Sequence, residues 1–226
     1  MNFKNKIVVI TGASSGIGYA LSAELIAVGA KVYSISRSLP QIPVEGVIYL
    51  RADLTKEEEV IASVAQIPEM VDLLVNNAGM MKRGHFWEIS AEEFDQVWAI
   101  DVKGMWLMFK HLKDKLSNGA MTVQINSKNS RLLKADTFIY SLSKLSDLEI
   151  DKFVAKARPD LVMKVAYFGP VDTPLEWADY NDEQKAKKMM VALNKEQAAK
   201  LTMDLINSDK PNLIYLEEEN RYEILD

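Results

Sequence analysis

Tyr140-Ser141-Leu142-Ser143-Lys144 sets a phenol and an ammonium four residues apart. On a helix, positions i and i+4 share a face, so the two groups lie side by side. A phenol titrates near pH 10 and is a poor base at neutrality. A cation held a few ångströms away favours the phenolate and lowers that value. The pair then suits acid–base work on a carbonyl/alcohol couple. Tyr-x-x-x-Lys alone is common, and its usual meaning is a surface pair. Ser127 gives it company, thirteen positions upstream and just past Gln124-Ile125-Asn126 at the end of an apolar run. In an open α/β sheet, ligands bind beyond the carboxyl ends of strands. A hydroxyl there can hydrogen-bond a substrate oxygen.

A second constellation lies near the N-terminus. The apolar run Ile7 to Ile10 leads directly into Thr11-Gly12-Ala13-Ser14-Ser15-Gly16-Ile17-Gly18. Gly12 permits a tight turn with unusual backbone angles. Gly16 and Gly18 let backbone and helix approach a ligand, and the free N–H groups of the helix start face a pyrophosphate. Ser14 and Ser15 add hydroxyl donors. The spacing is G-x-x-x-G-x-G, different from the G-x-G-x-x-G of other dinucleotide folds. About 20 residues on, an acid would grip the 2′-hydroxyl of NAD. Here the position falls on Ser36 and Arg37, and no acid occurs between Lys31 and Pro40. A small serine and a planar cation suit a 2′-phosphate. This favours NADP(H), with NAD(H) as the alternative; the bland reading of Arg37 is a solvated surface residue.

The elements that must position these groups follow from periodicity. Strands are expected at 7–10, 31–35, 47–50, 71–75, 121–125, 162–168 and 212–216, and helices at 16–28, 91–116, 137–157 and 195–207. Gly29 ends the first helix. Thr55 caps a Glu-rich helix start, and Ser90 with Glu93 forms a capping box. The stretch from Arg37 to Gly46 holds Pro40 and Pro43 and has room for a loop or one turn only. This alternation predicts an α/β Rossmann-like fold, a doubly wound parallel sheet of about seven strands with helices on both faces. Residues 1–226 read as one dinucleotide-binding catalytic domain. Residues 169–194 form the only long irregular stretch, and such a stretch is usually functional.

Composition narrows the class. The 226 residues carry a formal charge of -5 and no cysteine. No basic stripe suits nucleic acid; the nearest candidate, Lys185, Lys187 and Lys188, follows the acids Asp179, Asp182 and Glu183. No apolar run approaches the ~18 residues of a membrane span. A cytoplasmic protein is expected. With two histidines and no cysteine, a zinc site of the His/Cys type is not expected.

Together these landmarks resemble the short-chain dehydrogenase/reductase family. They run in order over roughly residues 5–175: the glycine turn, Asp53-Leu54, Asn76-Asn77-Ala78-Gly79, Ser127, Tyr140 with Lys144, and Gly169-Pro170-Val171-Asp172-Thr173-Pro174. The resemblance implies an oxidoreductase moving hydride between a nicotinamide and a carbonyl or alcohol. Tyr140 is then the proton donor in reduction. Lys144 binds the nicotinamide ribose and lowers the tyrosine's pKa, and Ser127 orients the carbonyl. Asp53 and Leu54 touch adenine; Asn77 and Ala78, with Gly79 beside them, lie against the adenosine ribose and the sheet. Val171 and Thr173, after Pro170, reach the carboxamide and phosphate side. The implied partner is a small molecule.

Three departures stand out. The family's N-x-x-G is Asp101-Val102-Lys103-Gly104, which implies an altered proton relay and a carboxylate able to pair with Lys144. The crossover after the second strand is truncated. The C-terminus carries charged Glu217-Glu218-Glu219-Asn220-Arg221 in place of a Gly-rich segment, which favours a homodimer through helices 91–116 and 137–157 over a tetramer. Other signals are double-valued. Met80, Met81, Phe86 and Trp87 line a substrate pocket or pack on the sheet edge, and His85 reads as a loop residue. Trp177, Tyr180, Met189 and Met190 fit an amphipathic lid or a surface helix, and Lys128, Arg131 and Lys134 attract an anion or are scattered cations. The rival reading is a non-catalytic dinucleotide-binding regulatory or scaffold protein on the same fold.

Overall fold

Ile7–Thr11, a run of β-branched residues, forms strand β1 and is buried along its whole length. A strand covered by helices on both faces has that pattern. The computed structural model describes residues 2–177, 180–216 and 218–226; Asp179 and Glu217, both named above, lie outside them. The other strands are β2 (Lys31–Ser36), β3 (Ile48–Arg51), β4 (Val71–Asn76), β5 (Leu116–Ser127), β6 (Val162–Phe168), β7 (Asn212–Leu216) and β8 (Arg221–Leu225). They form one sheet in the order β3-β2-β1-β4-β5-β6-β7-β8. The order reverses between β1 and β4, which opens a crevice at their carboxyl ends.

Helices α1 (Gly16–Ala27) and α9 (Lys195–Asn207) pack together on one face. They bury Leu21, Leu25, Ala198 and Leu205 against Val8 and Ile10. Helices α2 (Glu57–Ala65), α4 (Gly104–Leu112) and α6 (Phe138–Ala157) cover the other face, where Val60, Leu107, Met108 and Leu112 meet Val9 and Ile35. Successive β1 side chains thus feed two separate cores, as the period of two requires. No helix joins β2 to β3, in line with the short proline-containing stretch. Among the described residues, no helix is long and apolar enough to cross a membrane.

Several sequence expectations need correction. An eighth strand, β8, pairs antiparallel with β7. Its alternation was present in Tyr222 and Ile224, which pack on the core, but the neighbouring charges masked it. The helix expected at 91–116 is three pieces: α3 (Ala91–Trp98), a π-helical turn (Ala99–Lys103) and α4. It stops at Leu112, and Leu116 instead pairs with Val71 in the sheet. Thr55 does not cap α2, whose N-cap is Lys56; its hydroxyl donates to Asp53 Oδ1 at 2.8 Å. Ser90 and Glu93 do form the capping box. The 169–194 stretch contains short helices α7 (Pro174–Trp177) and α8 (Asp182–Met189), preceded among the helices by α5 (Asn129–Leu132).

Candidate active site

The glycine turn is braced from β4. Thr11 Oγ1 accepts from the backbone N–H groups of Asn77 and Ala78 at 3.0 and 3.1 Å. Asn77 Nδ2 donates back to the carbonyls of Thr11 and Gly12 at 2.9 and 3.1 Å. Gly12 has φ +72°, and a Cβ there would sit 2.8 Å from Ala78 Cα. Only glycine fits both the angle and the approach. Ser15 holds extended backbone at the N-cap of α1 with its hydroxyl uncommitted to the helix, so the first N–H groups face the crevice.

That crevice is a cleft of about 970 Å³. Gly12, Ser14, Ser15, Gly16 and Ile17 line one end with Ser36, Arg37, Asp53, Leu54, Asn77, Ala78 and Gly79. Ser127, Tyr140, Lys144, Val171 and Thr173 line the other. Gly18, Asp101 and Pro170 do not line it: a Cβ on Gly18 would collide with Asn77 Nδ2, and Asp101 acts from behind Lys144. Arg37 is exposed at the end of β2, and its carbonyl accepts from Arg51 Nε at 3.1 Å. Arg37 also lies close enough to Asp53 to help hold that carboxyl below its usual value; burial opposes this, and the Thr55 hydrogen bonds favour it more.

Helix α6 presents Tyr140 and Lys144 inward, 6% and 4% exposed. Ser127, the last residue of β5, lies beside the Tyr140 phenol, where its side chain favours the ionised form, and its hydroxyl accepts from Asn129 N at 3.2 Å. Lys144 Nζ lies 3.0 Å from Asp147 Oδ2 and 3.5 Å from Asp101 Oδ2. Asp101, on the π turn, accepts from Met80 N and Ser143 Oγ, both at 2.8 Å. Gly79 gives this pair room: a Cβ there would stand 3.3 Å from both Asp101 Oδ1 and Lys144 Nζ.

The electrostatics correct one expectation. Burial pushes the Tyr140 phenol up to about 12; Lys144 pulls it down, as expected, but Asp101 opposes and burial prevails. Burial alone would lower the Lys144 ammonium, yet Asp101 and Asp147 outweigh it and hold the group above its usual value. Asp101 is itself raised by burial against the pull of Lys144. The carboxylate of Asp101 thus both pairs with Lys144 and blunts its effect on the phenol.

Sequence reasoning missed Asp147, Gln124 and the Glu176–Arg83 pair. Asp147 shares the inward stripe 140-144-147-151 of α6, a spacing that was readable. Gln124 Nε2 donates to Asp147 Oδ2 at 3.1 Å. Glu176 lines the cleft and meets Arg83 at 3.5 Å, and that guanidinium covers the Tyr180 ring at 3.8 Å. Met80 lines the cleft, Met81 is buried, and Trp87 is 90% exposed, so the aromatic pair 86–87 belongs to the surface. Lys128 is buried over Tyr215 and is no scattered surface cation.

Comparison with known proteins shows the family. The short chain dehydrogenase family model matches residues 6–185. An "uncharacterized oxidoreductase" of Thermotoga maritima is 30% identical over 220 residues, covering 87% of this chain and 88% of that protein. Two solved structures share the fold at 21% identity. A short chain dehydrogenase from Burkholderia cenocepacia in complex with NADP has a TM-score of 0.81, over 94% of this chain and 88% of the other. A short-chain dehydrogenase/reductase from Burkholderia phymatum in complex with NAD has 0.78, over 91% and 87%. With its glycine turn, its Asn-Asn-Ala-Gly brace and its Ser–Tyr–Lys cluster on one cleft, the chain belongs to the short-chain dehydrogenase/reductase family of oxidoreductases, which act on alcohol and carbonyl groups with nicotinamide cofactors.

Proposed function

We propose that the chain is an NADP(H)-dependent carbonyl reductase or alcohol dehydrogenase acting on a small molecule. The observation that carries this reading is that Ser127, Tyr140 and Lys144 open onto the same cleft as the glycine turn. The residues present fit a dinucleotide: a Cβ at Gly12 would strike the Ala78 backbone that walls the cradle. The start of α1 and the hydroxyls of Ser14 and Ser15 would hold the pyrophosphate. Arg37, beside the small Ser36, would take the 2′-phosphate. Asp53, Leu54, Asn77, Ala78 and Gly79 would hold the adenosine end, and Val171 and Thr173 the nicotinamide end.

When bound, the nicotinamide supplies or accepts the hydride. The protein's part is orientation and one proton. Ser127 Oγ hydrogen-bonds the substrate oxygen beside Tyr140. A phenol pushed up to about 12 is protonated at neutrality, ready to donate to the oxygen that gains negative charge in reduction. The Lys144 ammonium, held charged by Asp101 and Asp147, receives the resulting phenolate. Residues 1–226 act as one catalytic domain in this reading, with 169–194 as the lid, tied to the body by Arg83–Glu176 and braced internally by Trp177 Nε1 donating to Asp172 Oδ1 at 2.7 Å. Trp106 and Phe153, on the outer sides of α4 and α6, are 47% and 71% exposed and suit the homodimer through those helices.

Fluorescence titration with NADPH and then NADH tests the proposal without knowledge of the substrate. Tighter binding of NADPH is expected. Preference for NADH would remove the 2′-phosphate role of Arg37 and leave the enzyme class standing. Binding of neither would move a non-catalytic scaffold role to the front.

A further inference from the structure

The inward stripe of α6, positions 140, 144, 147 and 151, is Tyr, Lys, Asp and Asp, where a helix facing a sheet normally carries apolar residues. Asp147 is fully buried and Asp151 nearly so. Packing does not account for them. Asp147 Oδ1, Asp151 Oδ1 and Gln124 Oε1 are buried with no hydrogen-bond partner in the protein among the described residues, a costly arrangement. A buried ion pair is also weak evidence for stability, since desolvation offsets its attraction.

Position explains Asp147 better. Lysine carries its charge on a flexible four-carbon stem. Asp101 stands 3.5 Å from the ammonium, and both its oxygens already accept from Met80 and Ser143. Asp147 makes the shorter contact, 3.0 Å, and Gln124 of β5 anchors the same oxygen at 3.1 Å. Asp151, one turn further along, makes no such contact with Lys144.

We propose that Asp147 is a positioning residue: anchored on Gln124, its carboxylate fixes the Lys144 ammonium between itself and Asp101, beside Tyr140 at the cleft. This rests on the reading that Lys144 serves the cofactor. The groups facing Asp147 are Lys144 and Asp151 on its own helix, Asp101 on the π turn and Gln124 on β5. Burial raises its carboxyl to about 6 against the pull of Lys144. Below that pH the clamp loses its charge and the lysine loosens.

The test is NADPH titration of the wild type, Asp147→Asn and Asp151→Asn between pH 5 and 8. Asp147→Asn should weaken binding about tenfold at pH 7.5, the low end for a hydrogen bond to a charged group, and should shrink the change in affinity around pH 6 to the part that the 2′-phosphate, which titrates near pH 6 itself, brings to every variant. Asp151→Asn should stay within about twofold and keep the whole change. Equal behaviour of the two variants would reduce Asp147 to a structural residue and overturn the proposal. A carboxyl ¹³C NMR titration of the wild type and Lys144→Met decides the matter even if Asp147→Asn does not fold. The Asp147 resonance should titrate at higher pH once the cation is gone, and an unchanged titration overturns the clamp. Should the wild type bind neither nucleotide, the cofactor reading fails, and the NMR titration still judges the clamp.

Discussion

The two ends of the cleft are held by different physics. At the glycine end, the shape is fixed by backbone: a left-handed Gly12, the Thr11–Asn77 hydrogen bonds and an uncapped helix start, all uncharged. At the Ser127 end, the shape is fixed by buried charge, with one ammonium between two carboxylates. A backbone cradle is rigid and insensitive to pH. A buried charge cluster gives strong local fields, and it responds to protons. The first arrangement suits holding a pyrophosphate diester, whose charge is constant near neutrality; the second suits a step in which a proton moves.

The comparison breaks first at Tyr140. Tyr140→Phe should abolish turnover, a loss of roughly 10²–10⁴-fold or more for a missing acid–base group, with NADPH affinity kept within a few fold. Substantial residual turnover in a steady-state assay would remove the phenol from the chemistry. Gly12→Val tests the other end. A positive φ alone costs about 1–2 kcal/mol for a residue with a Cβ, and the collision with Ala78 adds to it, so denaturant unfolding should show a loss of at least that size together with loss of nucleotide binding. Arg37→Ala should weaken NADPH roughly tenfold or more, the worth of a charge-assisted contact, and leave NADH unchanged in the same titration.

Proton sensitivity supplies a subtler contrast. Asp147 titrates higher in the folded chain than in the unfolded one, so the native state binds the extra proton between the two values. Its contribution therefore destabilises the fold as pH rises from about 4 to about 6. Wild type minus Asp147→Asn, measured by thermal unfolding, should show this fall, on the order of 1–3 kcal/mol in all. A flat difference would place the carboxyl's titration elsewhere. The smallest effect belongs to neither end: Ser90→Ala removes the cap of α3 and should cost about 1 kcal/mol, with nucleotide binding untouched.

What could be read in the sequence divides along the same line. The backbone-held end is legible because its requirements are local: a strand running into Gly12, Gly16 and Gly18, and Asn77 at a fixed place after β4. Ser127, Tyr140 and Lys144 were legible by spacing. Asp147 and Gln124 were not assigned a role, because their pairing joins a helix to a strand 23 residues away and takes its meaning from burial. The net rise of the Tyr140 phenol is hidden in the sequence for the same reason: the pull of a neighbouring cation is visible in a Tyr-x-x-x-Lys string, whereas loss of solvent is not. The end of the helix at Leu112 was set by pairing of Leu116 with Val71, a contact that overrides helical periodicity.

The π turn at Ala99–Lys103 has a consequence for how this site could arise and be lost. A π turn is an α-helix with one residue too many, and each residue turns a helix by about 100°. Removing a single codon from that stretch would let α3 run smoothly into α4 with both helices still helical and most core residues still apolar. Asp101 would then swing away from Lys144. One small deletion could silence the carboxylate that backs the lysine while sparing the fold around it.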